Sequence, residues 1–158
     1  MVEHDSYDRF WQSRAIRHHL NNVRCAVLVV GGWFDCEDQL GPFTVFEETR
    51  RRNPAAEVSL CVGPWAHAQW SGGEGVTSLG NVGFATATEE YYRAQIELPF
   101  LRRHLMEPRE GAERPPALET AVVYEVGTNR WRRFAEWPPA EAVPRRLRLC
   151  AAGGLALE

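Results

Sequence analysis

Residues 24–35 read Arg24-Cys25-Ala26-Val27-Leu28-Val29-Val30-Gly31-Gly32-Trp33-Phe34-Asp35, an almost unbroken apolar, β-branched-rich run that ends at a glycine pair and an acid. A strand with one wet face alternates apolar and polar residues, whereas a strand covered on both faces need not. The run at 24–30 therefore predicts a parallel strand buried between layers of helix. Downstream, Leu40, Phe43 and Phe46 recur at helical spacing over 39–52. Pro42 suits a first turn, Arg50-Arg51-Arg52 stand where cations favour a helix C-terminus, and Asn53-Pro54 ends the segment. A second short strand is predicted over 57–62, before Gly63-Pro64. Strand, helix, strand implies a right-handed parallel crossover and the α/β class.

On the upstream side, 6–22 reads as helix, in one piece or two, with Ser6 as cap, Tyr7, Phe10 and Trp11 on one face, and Asn21-Asn22 as its close. After the second strand a glycine-rich loop, 71–83, leads to Thr86-x-x-Glu89. That spacing is a capping box for a helix running to about residue 106, with a kink expected at Pro99. A stretch rich in Pro, Glu and Arg follows at 107–116, and then the texture changes to short strands at 118–126, 131–134 and 147–150. The expected organisation is an α/β unit over 1–106, a linker over 107–116, and the start of a β domain over 117–158.

Composition narrows the function classes. A chain of 158 residues with 44% hydrophobic and 25% charged residues has the balance of a soluble globular protein. A net charge of −3 supplies no surplus of cations for phosphate, so nucleic acid is not expected as a partner. All 18 basic residues are Arg, a bias that fits a GC-rich, bacterial-type genome better than a binding role. The apolar run at 25–30 is far short of the ~20 residues that cross a bilayer, and no export signal precedes it, so no membrane role is expected and the compartment stays open. Cys25, Cys36, Cys61 and Cys150 form no C-x-x-C pair, and neither a metal nor another cofactor is called for.

In open α/β sheets functional groups gather beyond the C-terminal ends of the strands. Asp35 and His67 hold that position on consecutive strands, 67 − 35 = 32 residues apart, about one βαβ unit. Neighbouring parallel strands would bring them into hydrogen-bonding reach. This is the acid-then-histidine order of a hydrolase whose serine comes earlier in the chain.

Three motifs extend the pattern: Gly31-Gly32-Trp33-Phe34-Asp35-Cys36-Glu37-Asp38, Gly63-Pro64-Trp65-Ala66-His67, and Leu98-Pro99-Phe100-Leu101. Together with Tyr7-Asp8-Arg9-Phe10-Trp11 and Asn129-Arg130-Trp131, they resemble the X-Pro dipeptidyl-peptidase, cocaine esterase and α-amino-acid ester hydrolase superfamily, the last most closely. The resemblance implies that the chain is the C-terminal part of an α/β-hydrolase fold, its last two parallel strands with their helices, followed by the start of a jelly-roll. It implies that Asp35 orients His67 and that His67 serves as general base and general acid. Glu37 and Asp38 match the carboxylates that bind a substrate's α-ammonium group, although a helix N-terminus attracts acids for dipole reasons alone. Trp33 and Trp65 would wall the acyl pocket or pack the core.

None of Ser6, Ser13, Ser59, Ser71 or Ser78 lies in a G-x-S-x-G elbow. The expectation is therefore a fragment that lacks its nucleophile and the N-terminal half of its domain, is inactive alone, and has an apolar strand edge that invites homo-oligomerisation. In the complete enzyme the substrates would be esters or amides of small α-amino acids. X-Pro dipeptidyl-peptidase, cocaine-esterase-like and cephalosporin-acylase-like activities are the alternatives. From other classes, Asp35, Glu37, Asp38 and His67 would make an oxygen-and-nitrogen metal set, or the chain would be a non-catalytic scaffold.

Overall fold

The computed structural model describes residues 3–72, 75–108, 111 and 113–157. Its first element is short: α1 is Arg9–Gln12, capped by the Asp8 carboxylate, which accepts the Phe10 N–H at 2.8 Å. The helix expected over 6–22 is otherwise a single 3₁₀ turn, Ile16–His18. The reason is local competition. Ser13 Oγ and an Arg14 guanidinium nitrogen donate to the Phe10 carbonyl at 3.0 and 2.9 Å, and the Arg14 N–H bonds Trp11 O instead of Phe10 O.

The strand that decides the class forms as read. β1, Val27–Gly32, is followed by α2, Gly41–Arg52, and by β2, Val58–Gly63. β1 and β2 pair in parallel, from Val27 opposite Val58 to Gly32 opposite Gly63. Every residue of β2 is buried. Phe46 of α2 packs with Val29, Val58, Leu60 and Val62 on one face, while Cys61 meets Trp65, Tyr92 and Ile96 on the other. A tight hairpin follows, β3 at Ser78–Leu79 and β4 at Val82–Gly83.

The next helix begins as α3, Thr88–Tyr92, passes through a π turn at Arg93–Glu97, and continues as α4, Leu98–Leu105. The expected capping box does not form: Ala87 occupies the cap, with no side-chain bond. The expected kink is this π turn, in which the Leu98 N–H reaches back to Arg93 O. Pro99 has no N–H to continue the α pattern, and a wider turn absorbs the mismatch.

The largest difference lies further on. β5, Ala121–Glu125, pairs in parallel with β2, and β6, Arg130–Phe134, pairs antiparallel with β5, giving one sheet in the order β1-β2-β5-β6. The boundary expected at 117 is thus corrected: 121–134 completes the α/β sheet instead of opening a separate β domain. Ala121, Val122, Val123 and Tyr124 are all buried, the two-faced burial that marked β1. Beyond β6 the described strands are an antiparallel ribbon, β7 at Leu147–Leu149 and β8 at Leu155–Leu157, with its leucines exposed.

Candidate active site

The ends of β1 and β2 are laced together by backbone. The Trp33 N–H donates to Gly63 O at 2.9 Å, extending the ladder one step, and the Phe34 N–H donates to Trp65 O at 3.0 Å. This approach needs glycine on both strands. A Cβ on Gly32 would stand 2.2 Å from Trp65 O, and one on Gly63 would stand 2.5 Å from the Trp65 ring.

Asp35 follows directly, its side chain only 2% exposed. Its Oδ1 accepts the N–H groups of Glu37 and Asp38, each at 2.9 Å, and its Oδ2 lies 2.9 Å from His67 Nδ1. The Asp38 amide, then the Glu37 amide and His67, hold its carboxyl below the usual carboxylate range against the opposing effect of burial. His67, with its side chain about half exposed, has its imidazole pushed up, first by the hydrogen bond to Asp35 and its charge, then by the charges of Glu37 and Asp38. Its loop is held tightly: Ala68 takes the left-handed conformation at φ 57°, and the Gln69 side-chain oxygen accepts the Ala66 N–H at 3.0 Å.

The carboxylate pair divides. Asp38 Oδ1 accepts the Gly41 N–H at 2.8 Å, so this carboxylate caps the start of α2. Glu37 is exposed, accepts no hydrogen bond among the described residues, and faces His67 closely enough for its charge to act there. The two tryptophans also part. The Trp33 indole N–H donates to Tyr124 O at 2.8 Å, and its ring borders a cavity of about 630 Å³ with Phe34, Tyr124, Phe134 and Trp137. Trp65 is fully buried against Trp70, Tyr92 and Trp131, so of the two roles expected for it, pocket wall or core, it takes the core.

Gln69, Gly32 and Gly63 were missed as site-building residues. The glycines carried a signal, since each closes a strand one or two residues before a tryptophan. Among the described residues no serine hydroxyl hydrogen-bonds His67, and no three or more His, Cys, Asp or Glu side chains gather as a metal-holding group.

What the geometry provides is a buried, charged acid that fixes the tautomer and ring plane of a half-exposed imidazole, leaving Nε2 without a hydrogen-bond partner among the described residues. Residues 1–69, which hold both groups, match the model of the X-Pro dipeptidyl-peptidase (S15) family. The chain is also 26% identical over 141 residues to the cocaine esterase of Rhodococcus sp. (strain MB1 Bresler), which covers 87% of this chain. Both matches support kinship with the superfamily of X-Pro dipeptidyl-peptidases and cocaine esterases. A second similarity extends this: a crystal structure of an aminopeptidase from the marine sediment archaeon Thaumarchaeota archaeon superposes over 99% of the chain with a TM-score of 0.84 and 31% identity. The chain spans 22% of the Rhodococcus esterase and 25% of the aminopeptidase.

Proposed function

We propose that this chain supplies the acid and the histidine of a serine hydrolase's triad, and that the complete machinery forms an acyl-serine intermediate on esters or amides of small α-amino acids. The observation that carries this reading is the 2.9 Å contact between Asp35 Oδ2 and His67 Nδ1 at adjacent strand tips. His67 Nε2 takes the proton of the serine hydroxyl as the nucleophile attacks the acyl carbon, then returns it to the leaving alkoxide or amine. Asp35 stays ionised throughout and stabilises the imidazolium. The serine comes from a segment outside these 158 residues. Glu37, exposed beside His67, attracts the substrate's α-ammonium group. The ribbon β7–β8 opens a further β unit of jelly-roll type.

A peptidase reading shares the same requirement, since an aminopeptidase substrate also presents a free α-ammonium group. The similarity to the archaeal aminopeptidase supports it as the second reading.

The test is a chimera in which this chain replaces the matched segment of the Rhodococcus esterase, assayed on alanine p-nitrophenyl ester and alanine p-nitroanilide beside the unsupplemented chain. The chimera is expected to hydrolyse the ester, His67→Ala to abolish turnover, and the chain alone to stay at background. Glu37→Gln is expected to raise KM for the free-amine ester by about fivefold, the worth of one exposed ion pair of about 1 kcal/mol, without changing KM for its N-acetyl analogue. A His67→Ala chimera that keeps its rate would sink the hydrolase reading, and a rate on the anilide exceeding that on the ester would favour the peptidase.

A further inference from the structure

The N-terminus of α3 holds two fully buried polar side chains, Thr88 and Glu89, that no catalytic step uses. Thr88 Oγ1 accepts the Trp65 indole N–H at 2.9 Å inside the core. The same hydroxyl lies 3.4 Å from Val76 O, to which it donates, and the Thr88 N–H also reaches that carbonyl. Both Glu89 carboxylate oxygens accept the Val76 N–H at 3.0 Å. The start of α3 thus grips the peptide groups of Val76, in the loop after His67, and the side chain of Trp65, two residues before it.

Trp65 joins both halves of the acid–imidazole pair. Its carbonyl takes the Phe34 N–H beside Asp35, and its own chain leads through Ala66 to His67. Ring packing against Trp70, Tyr92 and Trp131 sets the indole's surroundings, with centroids 5.4–6.0 Å away. Tilted and edge-on ring contacts set a position only loosely, whereas a buried hydrogen bond fixes it. Valine would fill the space of Thr88 equally well, but only a hydroxyl accepts from the indole while donating to Val76 O.

We infer that Thr88 is a positioning residue for the Asp35–His67 pair, acting through Trp65. Its burial keeps it from substrate. Its hydrogen bond sets where the Trp65 backbone lies, and with it the separation of the carboxylate from the imidazole. The catalytic meaning of this inference rests on the hydrolase reading, but its geometry does not.

The experiment treats the full chain with diethyl pyrocarbonate across a pH series and follows carbethoxylation of His67 by mass spectrometry, since only neutral imidazole reacts. Asp35→Asn marks the midpoint of an uncoupled His67. Thr88→Val is expected to move the midpoint most of the way to that reference, and Thr88→Ser to keep the parent value. In the chimera, Thr88→Val is expected to lower kcat between about tenfold and about a hundredfold, the scale of a small misplacement far from the chemistry, with KM within about twofold. A Thr88→Val chain with the parent midpoint and kcat, while Asp35→Asn shifts, overturns the inference and leaves the hydrolase reading standing. Retained turnover in His67→Ala overturns the hydrolase reading instead. If Thr88→Val does not fold, Trp65→Phe removes the same bond without orphaning an indole donor, and its midpoint decides in the same way.

Discussion

At Asp35 three hydrogen bonds converge on one buried carboxylate, and their direction fixes how the pair responds to pH. The folded state holds Asp35 below its ordinary 3.8 and His67 above its ordinary 6.5. A lowered carboxyl contributes stability that is present above 3.8 and fades as pH falls through the folded value. A raised imidazole contributes stability that is complete below 6.5 and fades as pH rises through the folded value. The urea midpoint of the chain should therefore exceed that of Asp35→Asn most between these limits, with the gap narrowing on either side; a constant gap would mean that the pair is not the cause. For catalysis the base must be neutral, so kcat/KM of the chimera should climb with pH through the raised His67 value. Asp35→Asn should move that limb to lower pH and cut turnover by about 10⁴, the loss seen when a triad acid is replaced by its amide.

At the level of elements, the site depends on two strand ends meeting without side chains between them. Gly32→Ala would drive a Cβ to 2.2 Å from Trp65 O, a backbone atom held by the Phe34 N–H. The strand tips must then separate, at roughly 1–3 kcal/mol of overpacking, seen as a lower thermal midpoint. The same change should return the His67 reactivity midpoint toward that of Asp35→Asn, because Asp35 and His67 lie on opposite sides of the forced gap. An unchanged midpoint with lowered stability would show that the strand contact is structural alone. β1, α2 and β2 were legible because a continuous apolar run, helical spacing and terminal glycines all point one way there. The helix at 6–22 was not, since Ser13 and Arg14 side chains compete for a helix carbonyl, a contest that periodicity does not register. Glu89 read as the partner of Thr86 in a cap, and Thr88 was not singled out, because spacing cannot reveal that the side chains of Thr88 and Glu89 turn inward to Trp65 and Val76. Trp65 stands within the motif at 63–67 in sequence, yet only the packed core shows that its ring is buried against Trp70, Tyr92 and Trp131.

The sheet as a whole has two dissimilar edges. β6 carries Arg130, Arg132 and Arg133, with Arg132 and Arg133 paired to Glu125 and Glu119, the charged edge by which sheets avoid further pairing. β1 carries no charge at all, and among the described residues no strand pairs with its outer side. Because the N–H groups of Val27 and Trp33 point to β2 and a parallel ladder alternates, Val29 and Gly31 also face β2, while Leu28 and Val30 turn their backbone outward. An uncharged edge with open donors and acceptors recruits another strand, and in a solution of this chain alone the available strand is a second copy. Concentration-dependent self-association is therefore expected in sedimentation velocity. Leu28→Pro takes away one outward N–H and none of the bonds to β2, and Leu28→Ala loses the same packing against the core while keeping that N–H, so Leu28→Pro should suppress the association relative to Leu28→Ala. A chain that sediments as a monomer throughout, or a Leu28→Pro chain that associates like the parent, would show that the β1 edge is closed by something other than pairing.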